Sequence, residues 1–148
     1  MIDQLEESEL REAIELFYFA YRSFTEGPDR LLQSKSLSRV HHRILYFVAR
    51  SPHININELL AVLRVSKQAL NAPLRKLVEL DLVRPELAEY DRRVKQLSLS
   101  PAGRKLEAKL TETQMGQLAT VFNKSGGPAV KGWRVIMSQL HGNAQSSG

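Results

Sequence analysis

The sequence predicts a mainly α-helical chain with one small β-hairpin near its middle. Apolar residues recur every three to four positions through most of the 148 residues, the period of a helix packed on one side. Only Val65 and Ser66 separate two of the predicted helices. Between Leu82 and Ser100 the pattern changes to the short alternation that is typical of strands. These observations place a close helix pair and a hairpin next to each other in the chain.

Composition limits the classes of protein. Hydrophobic residues make up 43% of the chain and charged residues 25%, which is enough apolar surface to bury a core. The absence of cysteine excludes disulfides, thiolate metal ligands and cysteine nucleophiles. No apolar stretch approaches the ~20 residues that a membrane span needs. The acidic, amphipathic N-terminus differs from a secretory signal, so we expect a cytoplasmic protein.

The charge is distributed unevenly. Residues 1–26 hold two arginines and seven acidic residues, a net charge of −5. Because the whole chain carries +5, the other 122 residues carry +10. A basic body with an acidic start favours a polyanionic partner such as nucleic acid. An ordinary solvated basic surface is the alternative explanation.

Helices are predicted on both sides of the centre. The first covers about residues 4–25 and is expected to stop at Gly27-Pro28-Asp29. A second runs from about Ser38 to Arg50 and ends at Ser51-Pro52. The first is predicted from the helical spacing of six apolar and aromatic residues: Leu10, Ile14, Phe17, Tyr18, Tyr21 and Phe24.

The next two helices are short and nearly continuous. Asn57 can cap the first of them and Ser66 the second. Helices joined by two residues must cross at a steep angle, which is the helix-turn-helix arrangement. Pro73 lies inside the second helix, where proline costs ~3 kcal/mol. We expect a helix that continues with a kink; the alternative is that Asn71 caps a new helix.

The hairpin and the C-terminal helices follow. Residues 95–99 alternate between polar and apolar side chains, as a strand does. Pro85 suits an edge strand. The hairpin tip is expected near residues 89–93. Ser100 and Pro101 are typical of a helix start. Residues 124–128 break that helix, and a last helix follows. In the first of these helices, the apolar residues expected to point inward are Leu106, Leu110, Leu118, Val121 and Phe122. The last helix is expected to carry its apolar residues on one side: Val130, Trp133, Ile136, Met137 and Leu140.

The order of elements predicts a winged helix over about residues 38–100. In that fold the second helix of the pair enters a major groove and the hairpin, or wing, reaches the neighbouring minor groove. Four side chains are expected on the exposed face of the groove helix. Gln and Asn can bond adenine edges and Lys can reach guanine. The backbone amides after Ser66, together with Lys76, suit phosphates. The four exposed residues are Lys67, Gln68, Asn71 and Arg75.

The predicted wing tip concentrates positive charge. Arg92, Arg93 and Lys95 lie within four residues, and a narrow minor groove attracts inserted arginine. Asp91 cannot contact phosphate favourably, so we assign it to orienting an arginine by a fork-like pair. The alternative explanation for the wing tip is a solubilising loop. The alternative for the groove helix is a solvated helix face.

The layout resembles the MarR family of bacterial transcription regulators. Ser stands in this chain where the family's Leu-Thr-x-x-Gly helix start has Thr, and Pro73 departs from the family's continuous recognition helix. Three stretches carry the resemblance: Val65-Ser66-Lys67-Gln68-Ala69-Leu70; Leu77-x-x-Leu80-x-Leu82-Val83; and Asp91-Arg92-Arg93 followed by Leu97-Ser98-Leu99-Ser100-Pro101-Ala102-Gly103.

The resemblance implies a homodimer with three regions per chain. Residues 1–37 form an N-terminal dimerisation helix, 38–100 the winged helix-turn-helix, and 101–148 the C-terminal dimerisation helices. The apolar residues of the outer helices agree, since they provide more apolar surface than lone helices can bury. Packing within one chain is the alternative.

Relatives of this kind often bind a small anionic or phenolic molecule. By approximate position, the candidates to line such a site are Tyr18, Arg22, His41 and Arg43, although ordinary core or surface contacts explain each of them as well. His41 and His42 point about 100° apart on a helix and cannot easily share a metal ion. We therefore expect no metal and no cofactor.

The leading hypothesis is a sequence-specific, dimeric DNA-binding regulator, a repressor tuned by a ligand, on a pseudopalindromic operator. The alternatives are a winged-helix protein-interaction module and a non-specific architectural DNA binder. An enzyme is least favoured, since no nucleophile–base pair, phosphate-binding glycine loop or carboxylate pair is apparent.

Overall fold

The computed structural model describes the backbone of residues 4–146 and the side chains of residues 6–142. Predictions that touch the few residues beyond these lie outside the described part. The mainly helical class with a small antiparallel sheet is confirmed. The elements, in chain order, are α1 (Gln4–Ser34), α2 (Arg39–Arg50), β1 (Ile54–Asn55), α3 (Ile56–Leu63), α4 (Lys67–Glu79), β2 (Val83–Leu87), β3 (Lys95–Leu99), α5 (Pro101–Ser125) and α6 (Gly127–Ser146).

The contacts divide the chain into two compact units, one up to Gln114 and one from Met115 onwards. The division into residues 1–37, 38–100 and 101–148 stays a prediction. Within residues 4–146, every helix is too short or too polar to cross a membrane.

The first helix is longer than predicted. Gly27 and Pro28 do not stop α1, which continues to Ser34 with Pro28 inside it. Pro28 and Leu32 are fully buried, and Leu31 packs on the same core. Burying a leucine side chain is worth about 1.5–3 kcal/mol, which offsets the cost of proline in a helix. A Cβ on Gly27 would lie 3.1 Å from the Thr113 methyl group, so glycine permits close approach to α5 here.

The helix-turn-helix is formed by α3 and α4, with one corrected cap. Asn55, not Asn57, caps α3: its side chain accepts a hydrogen bond from the Glu58 amide at 2.8 Å, and the Glu58 carboxylate accepts one from the Asn55 amide at 3.2 Å. This reciprocal pair uses the residue three positions before Glu58. Ser66 caps α4 as predicted, accepting from the Ala69 amide at 3.1 Å.

The second helix of the pair is continuous. α4 runs from Lys67 to Glu79 through Pro73, so the alternative in which Asn71 caps a separate helix is wrong. Leu70 and Leu77, on either side of the proline, are both buried on one face. Continuity keeps these two leucines in the same core, which compensates for the hydrogen bond that proline cannot make.

The sheet has three strands in the order β1-β3-β2, all antiparallel. The hairpin matches the prediction, and Pro85 lies in the edge strand opposite Leu97. The sequence did not reveal β1, whose two residues, Ile54 and Asn55, are too few to show alternation. Leu97 and Leu99 point into the core from the central strand.

One hydrophobic cluster holds the first unit together. Leucines dominate it, and they come from every helix of that unit, so each element is fixed by burial on one side. Its buried members are Leu32, Leu37, Ile44, Leu45, Val48, Ile54, Leu59, Leu70, Leu77, Val83, Leu97, Leu99, Leu106 and Leu110.

The C-terminal helices begin and break as predicted. The Ser100 hydroxyl accepts from the Gly103 amide at 2.9 Å, and α5 ends where Gly126 adopts a φ of +90°. Leu106 and Leu110 are buried. Val121 is exposed, contrary to the expectation that it points inward. Trp133, Ile136 and Leu140 of α6 are also exposed in the single chain.

Candidate nucleic-acid interface

The exposed face of α4 is polar and continuous. Leu70 and Leu77 anchor the opposite face in the core, and the 100° step of a helix then turns one set of side chains to solvent. The Ser66 cap fixes where this helix starts. The four predicted base-reading residues, Lys67, Gln68, Asn71 and Arg75, are all exposed.

The wing presents one arginine in a defined position. The Nε and Nη2 atoms of Arg93 donate to the two carboxylate oxygens of Asp91, each at 3.0 Å, and the Arg93 amide donates to Oδ1 at 3.0 Å. The fork-like pair expected of Asp91 is therefore present, with Arg93 as its partner. The side chain of Arg93 is 91% exposed and that of Asp91 29%.

Hydrogen bonding explains the charge state of this pair. The Arg93 side chain, followed by its backbone amide, holds the pKa of Asp91 below its ordinary value. The same pair raises the pKa of Arg93. Both groups are charged at neutral pH, and the guanidinium keeps one edge directed away from the carboxylate.

The helix and the wing border one open groove. Its polar lining combines Lys67, Asn71 and Arg75 of α4 with Arg93 and Lys95 of the wing. Leu70, Leu74, Val78 and Leu97 form its apolar floor. Gln68 and Arg92 are exposed but do not line it.

Two kinds of residue at this surface were not predicted. Asn55 and Asn57, at the start of α3, also line the groove. The two asparagines before an apolar run were a visible signal for a helix start, but no local pattern indicates that this start faces the wing. Tyr90 is 73% exposed at the wing tip and Leu87 is 53% exposed at the end of β2.

Lys76 lies on the side of α4 that faces away from Lys67 and Asn71. At about 100° per residue it is rotated ~140° from Asn71 and ~180° from Lys67 around the helix. It is half-buried, and its ammonium donates a hydrogen bond to the carbonyl oxygen of Ser36, in the turn between α1 and α2.

Of the four ligand-site candidates, Arg22 and Tyr18 are in contact, and no pocket is lined by all four. Arg22 lies over the Tyr18 ring at 5.7 Å and lines a shallow surface pocket with Phe19, Asp29 and Arg39, among others. Tyr18, His41 and Arg43 do not line that pocket. The Nη2 atom of Arg43 donates to the Tyr21 hydroxyl at 2.7 Å.

The His41 side chain forms part of the cap at the start of α2. Its Nδ1 atom accepts a hydrogen bond from the Ser38 amide at 2.9 Å, which completes the cap of α2. Burial, and then the positive charge of Lys76, lower the pKa of His41, which favours the neutral ring that can accept this bond. Burial also lowers the pKa of His42. Among the described residues, no group of three histidines or carboxylates could hold a metal ion.

Comparison with known proteins gives a consistent result. Residues 35–94 match the sequence model described as the MarR family. The chain is 37% identical over 136 residues to the HTH-type transcriptional regulator PetP of Rhodobacter capsulatus, an alignment that covers 92% of this chain and 82% of that protein.

Solved structures share the fold. FabT of Streptococcus pneumoniae, determined in complex with DNA, matches with a TM-score of 0.83 and 14% identity over 96% of this chain and 99% of that one. MarR of Staphylococcus aureus, in complex with salicylate and kanamycin, matches with a TM-score of 0.78 and 22% identity over 96% of each chain. Identities this low establish the fold alone. Taken with the matched family model, the identity to PetP and the extent of that alignment show that the chain belongs to the MarR family of DNA-binding transcriptional regulators.

Proposed function

We propose that this regulator binds a specific pseudopalindromic operator as a homodimer, represses transcription, and responds to a small anionic or phenolic ligand. The observation that carries the proposal is the groove in which the polar face of α4 and Arg93 of the wing face the same space. Its place of action would be the cytoplasm, where a bacterial regulator meets its DNA.

The two elements have different proposed roles. Gln68 and Asn71 read base edges in the major groove, and Lys67 and Arg75 contact guanine or phosphate beside them. Arg93 enters the minor groove, and Arg92 and Lys95 contact the backbone. The amides that follow Ser66 donate to a phosphate at the helix start. In support, α4 exposes these side chains and the wing holds Arg93 in a fixed orientation through Asp91.

The exposed apolar helices support the dimer. α1 leaves seven large apolar or aromatic side chains uncovered, each between 41% and 69% exposed: Leu10, Ile14, Leu16, Phe17, Tyr18, Phe19 and Tyr21. α6 leaves Trp133, Val135, Ile136 and Leu140 uncovered. Patches of this kind mark interaction sites. A second copy would cover them and would place two recognition helices on half-sites about 10 bp apart.

The ligand proposal rests on aromatic and cationic side chains of α1 and α2. Arg22 and Arg39 lie over tyrosine rings and Arg43 bonds a tyrosine hydroxyl, a combination suited to an aromatic carboxylate. The Staphylococcus aureus relative was determined with salicylate, which makes salicylate a reasonable first probe. Operator-bound protein should release DNA as salicylate is added, and Arg22→Ala should shift that release to higher salicylate concentration. Unchanged operator binding at saturating salicylate would count against this ligand class.

The decisive experiment for DNA binding is selection of bound duplexes from a random pool at near-physiological salt. Enrichment of a pseudopalindrome, bound by two chains, supports the proposal. Binding without enrichment points to the architectural role, and no binding points to protein interaction. Placing the enriched operator between a promoter and a reporter gene then tests repression, since a repressor lowers the reporter's output.

A further inference from the structure

Lys76 contacts a part of the protein that is distinct from the groove. Its ammonium donates to the carbonyl oxygen of Ser36, forty positions earlier in the chain. An ammonium that is already bonded to a backbone carbonyl, on a side of α4 far from Lys67, is poorly placed to neutralise a phosphate at the groove.

The turn that receives Lys76 is well fixed. The Leu37 amide donates to the Leu32 carbonyl at 2.8 Å and the Ser36 amide to the Gln33 carbonyl at 3.0 Å. These two bonds, with Ser36 at a φ of 59°, form a Schellman motif that ends α1. Leu32 and Leu37 are both buried in the core. The carbonyl of Ser36 therefore belongs to a rigid point, since the residues around it cannot move without disturbing the core.

The same turn leads into α2 through His41. The imidazole of His41 caps α2 by accepting from the Ser38 amide, and the charge of Lys76 disfavours its protonation. Lys76 thus touches the end of α1 through Ser36 and acts on the start of α2 through His41. α1 also carries the exposed apolar side chains that a second copy would cover.

We infer that Lys76 is a positioning residue: it ties the recognition helix to the turn between α1 and α2, and so helps set the separation of the two recognition helices in a dimer. The inference rests on the proposed function, because only a dimer on two half-sites has such a separation. It gives Lys76 a different role from the phosphate contact predicted from the sequence.

The test compares two lysines changed to methionine. A phosphate contact shows itself in salt dependence, because each neutralised phosphate contributes a slope of about −0.9 to the logarithm of the binding constant against that of salt. Lys95→Met, in the wing, should make the slope shallower by ~0.9 and leave the selected half-site spacing unchanged. Lys76→Met should leave the slope unchanged and broaden or shift the selected spacing by about 1 bp or more. Lys76→Arg keeps the charge and donors, and should restore the wild-type spacing.

A second readout needs no DNA. In the free protein, Lys76→Met should raise the pKa of His41 measured by NMR titration, because a nearby positive charge is removed, whereas Lys95→Met should not. If Lys76→Met made the salt slope shallower and left the half-site spacing unchanged, the inference would be overturned. An unchanged pKa of His41 in that variant would overturn it as well. If the wild-type protein enriches no pseudopalindrome, the proposed function fails; the His41 titration still decides whether Lys76 is tied to the turn.

Discussion

The two ends of the hairpin carry the same chemical pair in different surroundings. At the root, Arg84 donates through Nε and Nη2 to the two carboxylate oxygens of Asp81, each at 3.1 Å. At the tip, Arg93 makes the same two bonds to Asp91 at 3.0 Å. In both pairs the arginine lowers the pKa of the aspartate.

The root is additionally fixed by the core. The Ser100 hydroxyl donates to the Asp81 carbonyl at 2.6 Å, and the Ser100 amide donates to the Leu82 carbonyl at 3.1 Å. Asp81 itself has a φ of 54°, at the Schellman motif that ends α4. At the tip, Asp91 lies in a short loop that is closed by one backbone hydrogen bond. The Val94 amide donates to the Asp91 carbonyl at 3.0 Å. An Asp–Arg fork alone therefore does not indicate a DNA contact; the contact proposed for Arg93 is supported by the exposure of its side chain and by the groove that it borders.

The largest expected effect is a loss of stability caused by a substitution at the root of the hairpin. A Cβ placed on Gly103 would lie 2.0 Å from the backbone oxygen of Leu82, and neither backbone segment can yield without disturbing the core. Gly103→Ala should lower the free energy of unfolding by at least about 3 kcal/mol, measured by urea denaturation. Gly116→Ala, in the same helix, is the matched control: a Cβ there meets nothing within 4 Å, and alanine should add up to about 1 kcal/mol. Similar losses for both variants would argue against close packing at the root as the cause.

The second prediction compares the effects on DNA binding of removing Arg93 and of removing Arg84. Arg93→Ala should weaken binding to every DNA sequence on the order of tenfold or more, the loss expected for a charge-assisted hydrogen bond. It should also make the salt slope shallower by ~0.9. Arg84→Ala removes the same charge from the hairpin but should leave both quantities nearly unchanged. Binding titrations at several salt concentrations measure the difference. Equal losses for the two variants would mean that net charge, and not position, determines the affinity.

The third prediction compares the contribution of α4 to DNA binding with that of the wing tip. Gln68→Ala should cost about 1–3 kcal/mol on the preferred operator and almost nothing on random duplexes, because a base contact is lost and no charge changes. Paired titrations on the selected operator and on a scrambled duplex give the two values. A uniform loss on both duplexes, like that expected of Arg93→Ala, would remove the division between base reading by α4 and backbone or minor-groove contact by the wing.

Sequence reasoning succeeded where a local rule had no competitor. The caps at Ser66 and Ser100, the edge position of Pro85 and the fork at Asp91 each follow from one residue and its near neighbours. It failed where tertiary packing overrides a local signal. Gly27-Pro28 reads as a helix stop, but the burial of Pro28 and Leu32 carries α1 to Ser34.

The candidate site shows the same division. The exposed face of α4 follows from helical periodicity, so its four residues could be predicted without a structure. The neighbour of Lys76 could not, because Ser36 lies forty positions away and no local pattern connects them. The root pair of Asp81 and Arg84 looks in sequence much like the tip pair, and the structure distinguishes it by its attachment to the core through Ser100 and Gly103.

The smallest expected effect tests whether root and tip are independent. A lowered aspartate pKa contributes stability above the ordinary unfolded value of about 3.9, and that contribution is lost as the pH falls through the lower folded value. Both pairs should thus be intact at neutral pH and open only in acid. NMR titration of the carboxyl groups should show that Arg93→Ala raises the pKa of Asp91 alone and Arg84→Ala that of Asp81 alone, because each carboxylate has its own partner. If either variant moved both pKa values, the hairpin would act as one electrostatic unit, and the wing could not be changed for DNA binding without altering its attachment to the core.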